Sequence, residues 1–290
     1  MKFSLVLGSA IVCILSGTFS SHTMAACKVT DDAGSEIHLS QPARRIISLA
    51  PDITETLFAI GAGDHVIGVM QGSDYPEAAK KIPVTGSYTG LDMEKIISLH
   101  PDLIVTWGKV FSRQLSTFKK MGIPVYSSEP RQLNDVTQTM QNLGCLTGQQ
   151  QSADQEVKRY ENRLAELTKR YSRKKNITVF FQIGSYSLIT INHESWINQA
   201  MTLCGGKNVF AHATLAAPEV TWEAVVQANP QVIISDVINS DWTSRWAKWS
   251  VISAVKNKKL YSIHPDVIER ASPRLLDGVE QMCEAIEQAR

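Results

Sequence analysis

The chain has 290 residues, of which 43% are hydrophobic and 20% are charged. This composition is that of a globular protein large enough for two cores, and it excludes a disordered or collagen-like chain. Lysine and arginine number 29 against 28 acidic residues, so the chain lacks the basic excess of a general nucleic-acid binder. We therefore expect no nucleic-acid partner.

The N-terminus carries the only long apolar run, residues 4–17, which is followed by a polar stretch ending in Ala-Ala-Cys. This layout predicts a secretory signal peptide over residues 1–25, cleaved after Ala25 or Ala26, and hence an exported protein. An alternative is a lipoprotein in which the thiol of Cys27 is acylated. Against it, the residues before Cys27 lack the usual leucine and lie far from the apolar run.

Four cysteines remain after that cleavage: Cys27, Cys145, Cys204 and Cys283. Export would place them in an oxidising compartment, where disulfides form. Four thiols allow three pairings, and the sequence alone does not choose among them. No pair has the CxxC spacing of a zinc knuckle or of a thioredoxin-type redox site.

The predicted elements begin with a hairpin, because residues 28–39 place Asp-Ala-Gly between two β-prone stretches. Beyond it, apolar strand-like runs alternate with helical periodicity. The clearest runs are residues 45–49, 103–107, 177–183 and 232–235. Alternation of this kind indicates an α/β architecture.

A charged segment without glycine or proline, roughly residues 152–175, has apolar residues three or four positions apart and predicts a long amphipathic helix. This helix divides the chain into two α/β halves of similar length. We expect an N-terminal lobe over residues 26–150, an interdomain helix over 151–175 and a C-terminal lobe over 176–290.

An internal repeat relates residues 91–106 to residues 220–235 at a constant offset of 129 positions. Each copy has the pattern of a short helix, a proline and a buried strand, and Glu94 aligns with Glu223. The pattern is common in α/β proteins, so chance is one explanation. We favour two lobes of like topology, each presenting one glutamate near the start of a helix.

Catalytic signatures such as GxSxG, GxxxxGK[ST], HExxH and GxGxxG are absent from the sequence. The histidines of the mature chain are scattered rather than spaced as a set of metal ligands. An exported metal-dependent enzyme is thus a hypothesis without a supporting motif. We expect no catalytic residue and no metal site.

Three aromatic residues, Tyr75, Tyr88 and Trp107, lie in turn-like contexts near the ends of predicted strands, where open α/β sheets bind ligands. They would suit a planar or large apolar ligand, and local packing is the alternative. Asp266 and Arg270 precede a predicted helix. They are either solvated charges at that helix start or hydrogen-bonding groups for an amide-rich ligand.

Four motifs resemble those of one known family: residues 45–55 (RIISLAPDITE), 73–76 (SDYP), 91–94 (LDME) and 269–274 (ERASPR). The chain is similar to the ABC-importer substrate-binding proteins that carry cobalamin, haem or ferric siderophores, and the last motif resembles the cobalamin branch. The resemblance implies two Rossmann-like α/β lobes joined by a single long rigid helix, with a ligand cleft between the lobes.

The same resemblance implies a monomeric periplasmic protein that is not an enzyme and needs no cofactor. Its expected ligand is cobalamin or another corrinoid, which it would deliver to a membrane-embedded ABC permease with its ATPase. The alternative from the same family is a haem or ferric-siderophore binder, in which a tyrosine such as Tyr75 would ligate iron.

Site residues follow from the resemblance position by position. Corrin contacts fall on Tyr75, Tyr88 and Trp107, and contacts with the nucleotide-loop or amide side fall on Asp266 and Arg270. The glutamates that dock onto the permease in this family match Glu94 and Glu223. The family disulfide matches Cys204 and Cys283, which leaves Cys27 and Cys145 either bonded to each other or free.

The second-lobe wall of the cleft departs from the family pattern. A family phenylalanine falls at Ile189, and a family tryptophan that precedes a proline falls at Ala217. The wall is therefore expected to be less aromatic than in the family. Tyr186 and Trp222 are the candidates to compensate.

Overall fold

The computed structural model describes residues 26–171, 174–238 and 241–290. The predicted signal peptide, residues 1–25, lies outside the described residues. Within the described ranges, none of the helices is both long and apolar enough to cross a membrane.

The N-terminal hairpin is present as predicted. Strand β1 (Cys27–Thr30) pairs antiparallel with β2 (Glu36–Leu39). A disulfide joins Cys27 to Cys145 and ties the hairpin to the first lobe. Of the two arrangements left open for these cysteines, the structure therefore contains the bonded one, in which Cys27 has no free thiol to acylate.

The first lobe is built on a six-stranded sheet with the order β6-β5-β4-β3-β7-β8, in which every pairing except β5–β6 is parallel. Its strands are β3 (Ile46–Ser48), β4 (Val66–Met70), β5 (Val84–Ser87), β6 (Gly90–Leu91), β7 (Leu103–Trp107) and β8 (Val125–Ser128). Its helices are α1 (Pro51–Ala59), α2 (Met93–Ser98), α3 (Ser112–Lys120) and α4 (Asp135–Thr147). Short 3-10 turns cover Gly63–His65 and Glu77–Lys81.

After the long helix α5 (Gln150–Tyr171), the second lobe contains a four-stranded parallel sheet with the order β10-β9-β11-β12. Its strands are β9 (Ile177–Gln182), β10 (Gly206–Asn208), β11 (Val232–Ser235) and β12 (Leu260–Ser262). Its helices are α6 (Trp196–Leu203), α7 (Trp222–Ala228), α8 (Asp241–Trp246), α9 (Ser253–Lys256), α10 (Pro265–Ile268) and α11 (Leu275–Gln288), with a 3-10 turn at Ala247–Trp249.

The two sheets repeat one topology. The parallel order β4-β3-β7-β8 of the first lobe corresponds to β10-β9-β11-β12 of the second. In this correspondence β7 matches β11, and each follows a short helix, α2 or α7. The sequence repeat at an offset of 129 positions is therefore the same helix-strand unit in two lobes of like topology, as predicted.

Helix α5 is attached to both lobes. The Tyr160 hydroxyl donates a 2.8 Å hydrogen bond to the carbonyl of Leu133 in the first lobe. On the other side, the Arg163 guanidinium bonds Asp277 and Glu280 of α11, the latter at 2.9 Å. The apolar face of α5 packs into a core that continues from the hairpin to α11.

A second disulfide stabilises the second lobe. Cys204, directly after α6, is bonded to Cys283 in α11, which is the pairing that the family resemblance implied. Behind the sheet, Trp242 and Trp246 are buried in a separate apolar cluster, so these rings pack the lobe rather than face a ligand.

Candidate ligand-binding site

A cavity of about 740 Å³ lies between the lobes. Strand ends of both sheets open onto it: Gln71 follows β4, Trp107 ends β7, and Ile183 follows β9. Open α/β sheets bind ligands at the carboxyl ends of their parallel strands, and here two such edges share one cleft. The volume is within the range of small-molecule sites.

The apolar walls differ between the lobes. Tyr88 and Trp107 supply aromatic rings from the first lobe. Among the described residues, the second lobe supplies mainly aliphatic side chains, namely Ile183, Ile191, Ile197, Ala216 and Ala217, and a single aromatic ring, Trp196. The predicted loss of aromatic surface at Ala217 is thus visible, and Trp196 is the ring that the second lobe offers instead.

Trp196 is held in place from two directions. It begins α6, whose N-cap residue Ser195 accepts a 3.1 Å hydrogen bond from the backbone N–H of Ile197. Its indole Nε1–H donates a 2.9 Å hydrogen bond to the carbonyl of Ile268. Because the polar end of the ring is satisfied inside the protein, the half-buried indole is available for apolar contact with a ligand.

Carboxylates dominate the charge of the cavity lining. The acidic residues there are Asp52, Glu129, Glu194, Asp266 and Glu269, and the basic residues are Arg131 and Arg270. Both arginines are already paired: Arg131 lies 3.0 Å from Glu129, and Arg270 lies 2.7 Å from Asp266. Within the described part of the chain, no lysine and no histidine lines this cavity.

Two of these carboxyl groups favour the protonated form. Burial raises the pKa of Asp52 from 3.8 to about 7, against the hydrogen bonds from backbone N–H groups at the start of α1. Burial, followed by the hydrogen bond to Asp236, raises the pKa of Glu269. The cleft therefore holds carboxyl groups that both donate and accept hydrogen bonds near neutral pH.

The predicted ligand residues divide into two groups. Tyr88, Trp107, Asp266 and Arg270 line the cavity together. Tyr75 and Tyr186 do not line it: the Tyr75 ring centre lies 3.6 Å from the guanidinium carbon of Arg274, and Tyr186 is 94% exposed.

The other two second-lobe candidates also lie outside the lining. Ile189 forms backbone bridges with Ile183 and Glu219. Trp222 stacks on Trp249, with ring centres 5.5 Å apart. The two rings that the sequence suggested for the second-lobe wall, Tyr186 and Trp222, are therefore not among the lining residues.

A buried carboxylate that sequence reasoning did not single out lies beside the cavity. The Glu55 side chain is 2% exposed and accepts hydrogen bonds from Arg270, Ser272 and Arg274. A glutamate in the middle of a short helix is usually solvated. Its burial follows from the packing of α1, where the residues from Pro51 to Leu57 are all buried, and the local sequence carries no signal for it.

The paired glutamates of the repeat lie in matching positions. Glu94 and Glu223 each occupy the second residue of a short helix whose N-cap side chain, Asp92 or Thr221, accepts a backbone hydrogen bond. Both glutamates are exposed. Neither forms an ion pair within residues 26–171, 174–238 and 241–290.

Metal binding has no support in the described residues, where no group of three or more His, Cys, Asp and Glu side chains has the geometry to hold an ion.

Two like α/β lobes, one connecting helix and a shared cleft define a bilobed binding protein. A comparison with family models gives the family: residues 46–267 match the periplasmic binding proteins, and the chain belongs to that family. Its members are binding proteins of the periplasm.

Individual relatives are similar over most of their length. The chain is 34% identical over 255 residues to the vitamin B12-binding protein of Vibrio vulnificus strain YJ016, covering 86% of this chain and 93% of that protein. It is 30% identical to the vitamin B12-binding protein of Vibrio parahaemolyticus, with coverage of 87% and 92%.

Solved structures agree on the fold. The crystal structure of the periplasmic vitamin B12 binding protein BtuF of Vibrio cholerae aligns with a TM-score of 0.79 and 31% identity, covering 86% of this chain and 98% of that one. The periplasmic heme-binding protein RhuT of Roseiflexus has the same fold, with a TM-score of 0.75 at 23% identity and coverage of 85% and 99%.

Proposed function

We propose that this protein captures cobalamin or a related corrinoid in the cleft between its lobes and delivers it to an ABC permease. The observation that carries the proposal is the cleft itself, which combines the rings of Tyr88, Trp107 and Trp196 with carboxylates and with arginines that are already paired. The relatives named as vitamin B12-binding proteins support the same ligand.

The chemistry of a corrinoid suits this lining. A corrin is a large planar macrocycle whose apolar faces pack against aromatic rings. Its rim carries amide groups, and their N–H donors are matched by carboxylates such as Asp266 and Glu194. The Asp52 carboxyl group, whose pKa burial raises to about 7, would also donate to an amide oxygen when it is protonated.

Haem is the alternative ligand within this fold, and the lining disfavours it. Haem carries two propionates, which need cationic partners, whereas both lining arginines are paired with acids of the protein. Burial raises the pKa of Tyr88, which opposes the tyrosinate that ligates ferric iron. The Tyr75 ring is covered by the Arg274 guanidinium.

Isothermal titration of the purified mature chain with cyanocobalamin tests the proposal. We expect saturable one-to-one binding by the wild-type protein, and much weaker binding by Trp107→Ala. Trp249→Ala is the matched control, because Trp249 lies outside the cavity lining. A Soret band after addition of haemin, without any heat of cobalamin binding, would instead favour the alternative.

Delivery to the permease is the second part of the proposal. The carboxylates of Glu94 and Glu223, one on each lobe, are exposed and form no ion pair among the described residues, so they suit arginines on a partner surface. We propose that the protein acts in the periplasm as a monomer, without a cofactor and without catalysis. Its partner would be a membrane-embedded permease with its ATPase.

Reversing both charges in Glu94→Arg/Glu223→Arg tests docking separately from ligand capture. We expect unchanged affinity for cyanocobalamin and loss of its transport into vesicles that contain the permease and its ATPase. Glu77→Gln/Glu36→Gln is the control, since both glutamates are exposed and pair only within their own lobe. Weakened ligand binding in the reversed variant would place the two glutamates in ligand capture and contradict the docking role.

A further inference from the structure

Among the acidic side chains that form ion pairs in the described residues, that of Glu55 is the least exposed to solvent. Its side chain is 2% exposed, and it projects from α1 of the first lobe. An ionised carboxylate at this depth is strongly unfavourable unless it is paired and hydrogen-bonded. The partners of Glu55 therefore decide what this residue does.

All of those side-chain partners come from the other lobe. Arg274 donates from Nε to Oε2 at 3.0 Å and from Nη2 to Oε1 at 2.7 Å, which is the bidentate geometry of a strong guanidinium–carboxylate pair. The Ser272 hydroxyl donates to Oε2 at 2.6 Å, and Arg270 donates from Nη1 to Oε1 at 2.9 Å. Both carboxylate oxygens are thus satisfied by the segment between α10 and α11.

Arg270 extends the connection. Its Nη1 also lies 2.9 Å from Asp74 Oδ1, and its Nη2 donates to the carbonyl of Gly72 at 3.2 Å, both in the first lobe. The same Nη2 lies 2.7 Å from the Asp266 carboxylate in the cavity wall. Both terminal nitrogens of this guanidinium are therefore occupied by the protein.

We infer that Glu55 is a positioning residue, which joins the two lobes through Arg270, Ser272 and Arg274 and keeps the Arg270 guanidinium from serving as an anion site in the cleft. These four residues form the interlobe clamp. The clamp is a connection between the lobes that is separate from helix α5, and it fixes the spacing of the two cleft walls.

The clamp also explains the positions of Tyr75 and of residues 269–274, which ligand binding alone does not explain. Tyr75 lies under Arg274 and so packs against the clamp rather than the cavity. The Glu-Arg-Ala-Ser-Pro-Arg motif, residues 269–274, supplies three clamp members and only two lining residues, Glu269 and Arg270. Half of that motif is therefore used for holding the lobes together.

The test measures lobe geometry in the unliganded protein, so its outcome is independent of the proposed ligand. Spin-labelled non-canonical residues are introduced in place of Met121 in the first lobe and Val251 in the second, and the distance between the two labels is measured. Both positions are exposed. Non-canonical residues are used because cysteine labelling would interfere with the native disulfides. A second pair, at Val84 and Met121, reports distances within the first lobe alone.

We expect Glu55→Gln to broaden the interlobe distance distribution and shift it to longer distances, while the first-lobe pair keeps the wild-type distribution. Glu77→Gln, which removes an exposed first-lobe carboxylate, should leave both distributions unchanged. An interlobe distribution of folded Glu55→Gln that superimposes on that of the wild type would overturn the inference. So would equal broadening of both pairs, which would indicate general loosening of the first lobe.

Two milder variants keep the test decisive if Glu55→Gln does not fold. Arg274→Lys retains the charge but loses the bidentate fork, and Ser272→Ala removes one hydrogen bond. The clamp predicts that the interlobe distribution broadens more in Arg274→Lys than in Ser272→Ala. Wild-type distributions in both variants would contradict it.

Discussion

The first lobe contributes the rings of Tyr88 and Trp107 to the cleft, whereas the second contributes isoleucine and alanine side chains and the indole of Trp196. Both lobes nonetheless have the same parallel strand order and the same helix-strand unit that carries Glu94 or Glu223. The comparison teaches that the sheets fix where the cleft lies, while the residues at and beyond the strand ends set the chemistry of its walls.

The largest effect on stability is expected from the disulfides, because each lobe has its own. Cys27–Cys145 spans 118 residues and Cys204–Cys283 spans 79. In the chain-entropy model, loops of these lengths contribute about 5 and about 4.5 kcal/mol to the free energy of unfolding. We expect Cys27→Ser/Cys145→Ser and Cys204→Ser/Cys283→Ser to lose comparable amounts in urea unfolding.

Their control is the wild-type protein under reducing conditions, which should lose both contributions. A loss below about 1 kcal/mol for either double variant would mean that the corresponding lobe is held by packing alone.

Asp52, the acidic residue at the start of α1, makes the stability of the protein depend on pH. Because Asp52 has a folded-state pKa of about 7 against 3.8 for an exposed aspartate, the folded protein keeps a proton that the unfolded chain releases. The free energy of unfolding therefore falls as the pH rises from about 4 to about 7. We expect Asp52→Asn to remove this dependence and to be more stable than the wild type at pH 8, by a few kcal/mol at most.

Thermal unfolding at pH 5 and pH 8 checks this, with Glu77→Gln as the control for loss of an exposed carboxylate. A difference between Asp52→Asn and wild type that does not change with pH would contradict the account of Asp52.

The contribution of each lobe to ligand affinity can be compared by removing one aromatic ring from each. We expect Trp107→Ala and Trp196→Ala each to raise the Kd for cyanocobalamin about 30-fold, equivalent to about 2 kcal/mol for a buried aromatic contact. Titration calorimetry measures both. If Trp196→Ala binds like the wild type, the second lobe supplies no aromatic wall and the role of its indole is structural.

The smallest effect belongs to the exposed tyrosine of the second lobe. Because Tyr186 is 94% exposed and lies outside the cavity lining, we expect Tyr186→Ala to change the Kd by less than about twofold. Tyr88→Ala is the matched comparison, since Tyr88 lines the cavity from the other lobe. A larger effect on the Kd at Tyr186 than at Tyr88 would contradict the assignment of Tyr88, and not Tyr186, to the cavity lining.

Much of the fold could be predicted from the sequence because its signals are local. The runs at Leu103–Trp107 and Val232–Ser235 are short, apolar and preceded by prolines, and both are strands with these bounds. The long helix was predicted from its uninterrupted periodicity, although it begins at Gln150 and is helical to Tyr171 rather than covering 152–175.

The site was less predictable because its residues meet only through tertiary structure. Tyr88 and Trp107 could be found, since each follows or ends a strand in a turn-like context. Trp196 and Glu55 could not, because a tryptophan at a helix start and a glutamate within a helix are ordinary locally. The role of Glu55 depends on Arg274, which lies 219 positions away.

The most direct test of the central claim compares two ligands on one preparation of the wild-type protein. The cleft, with its aromatic rings, its carboxylates and its paired arginines, predicts one-to-one binding of cyanocobalamin and at least about 100-fold weaker binding of haemin, corresponding to one unpaired buried charge. Parallel calorimetric titrations measure both. Haemin binding as tightly as cyanocobalamin, or more tightly, would contradict the claim that this cleft selects a corrinoid.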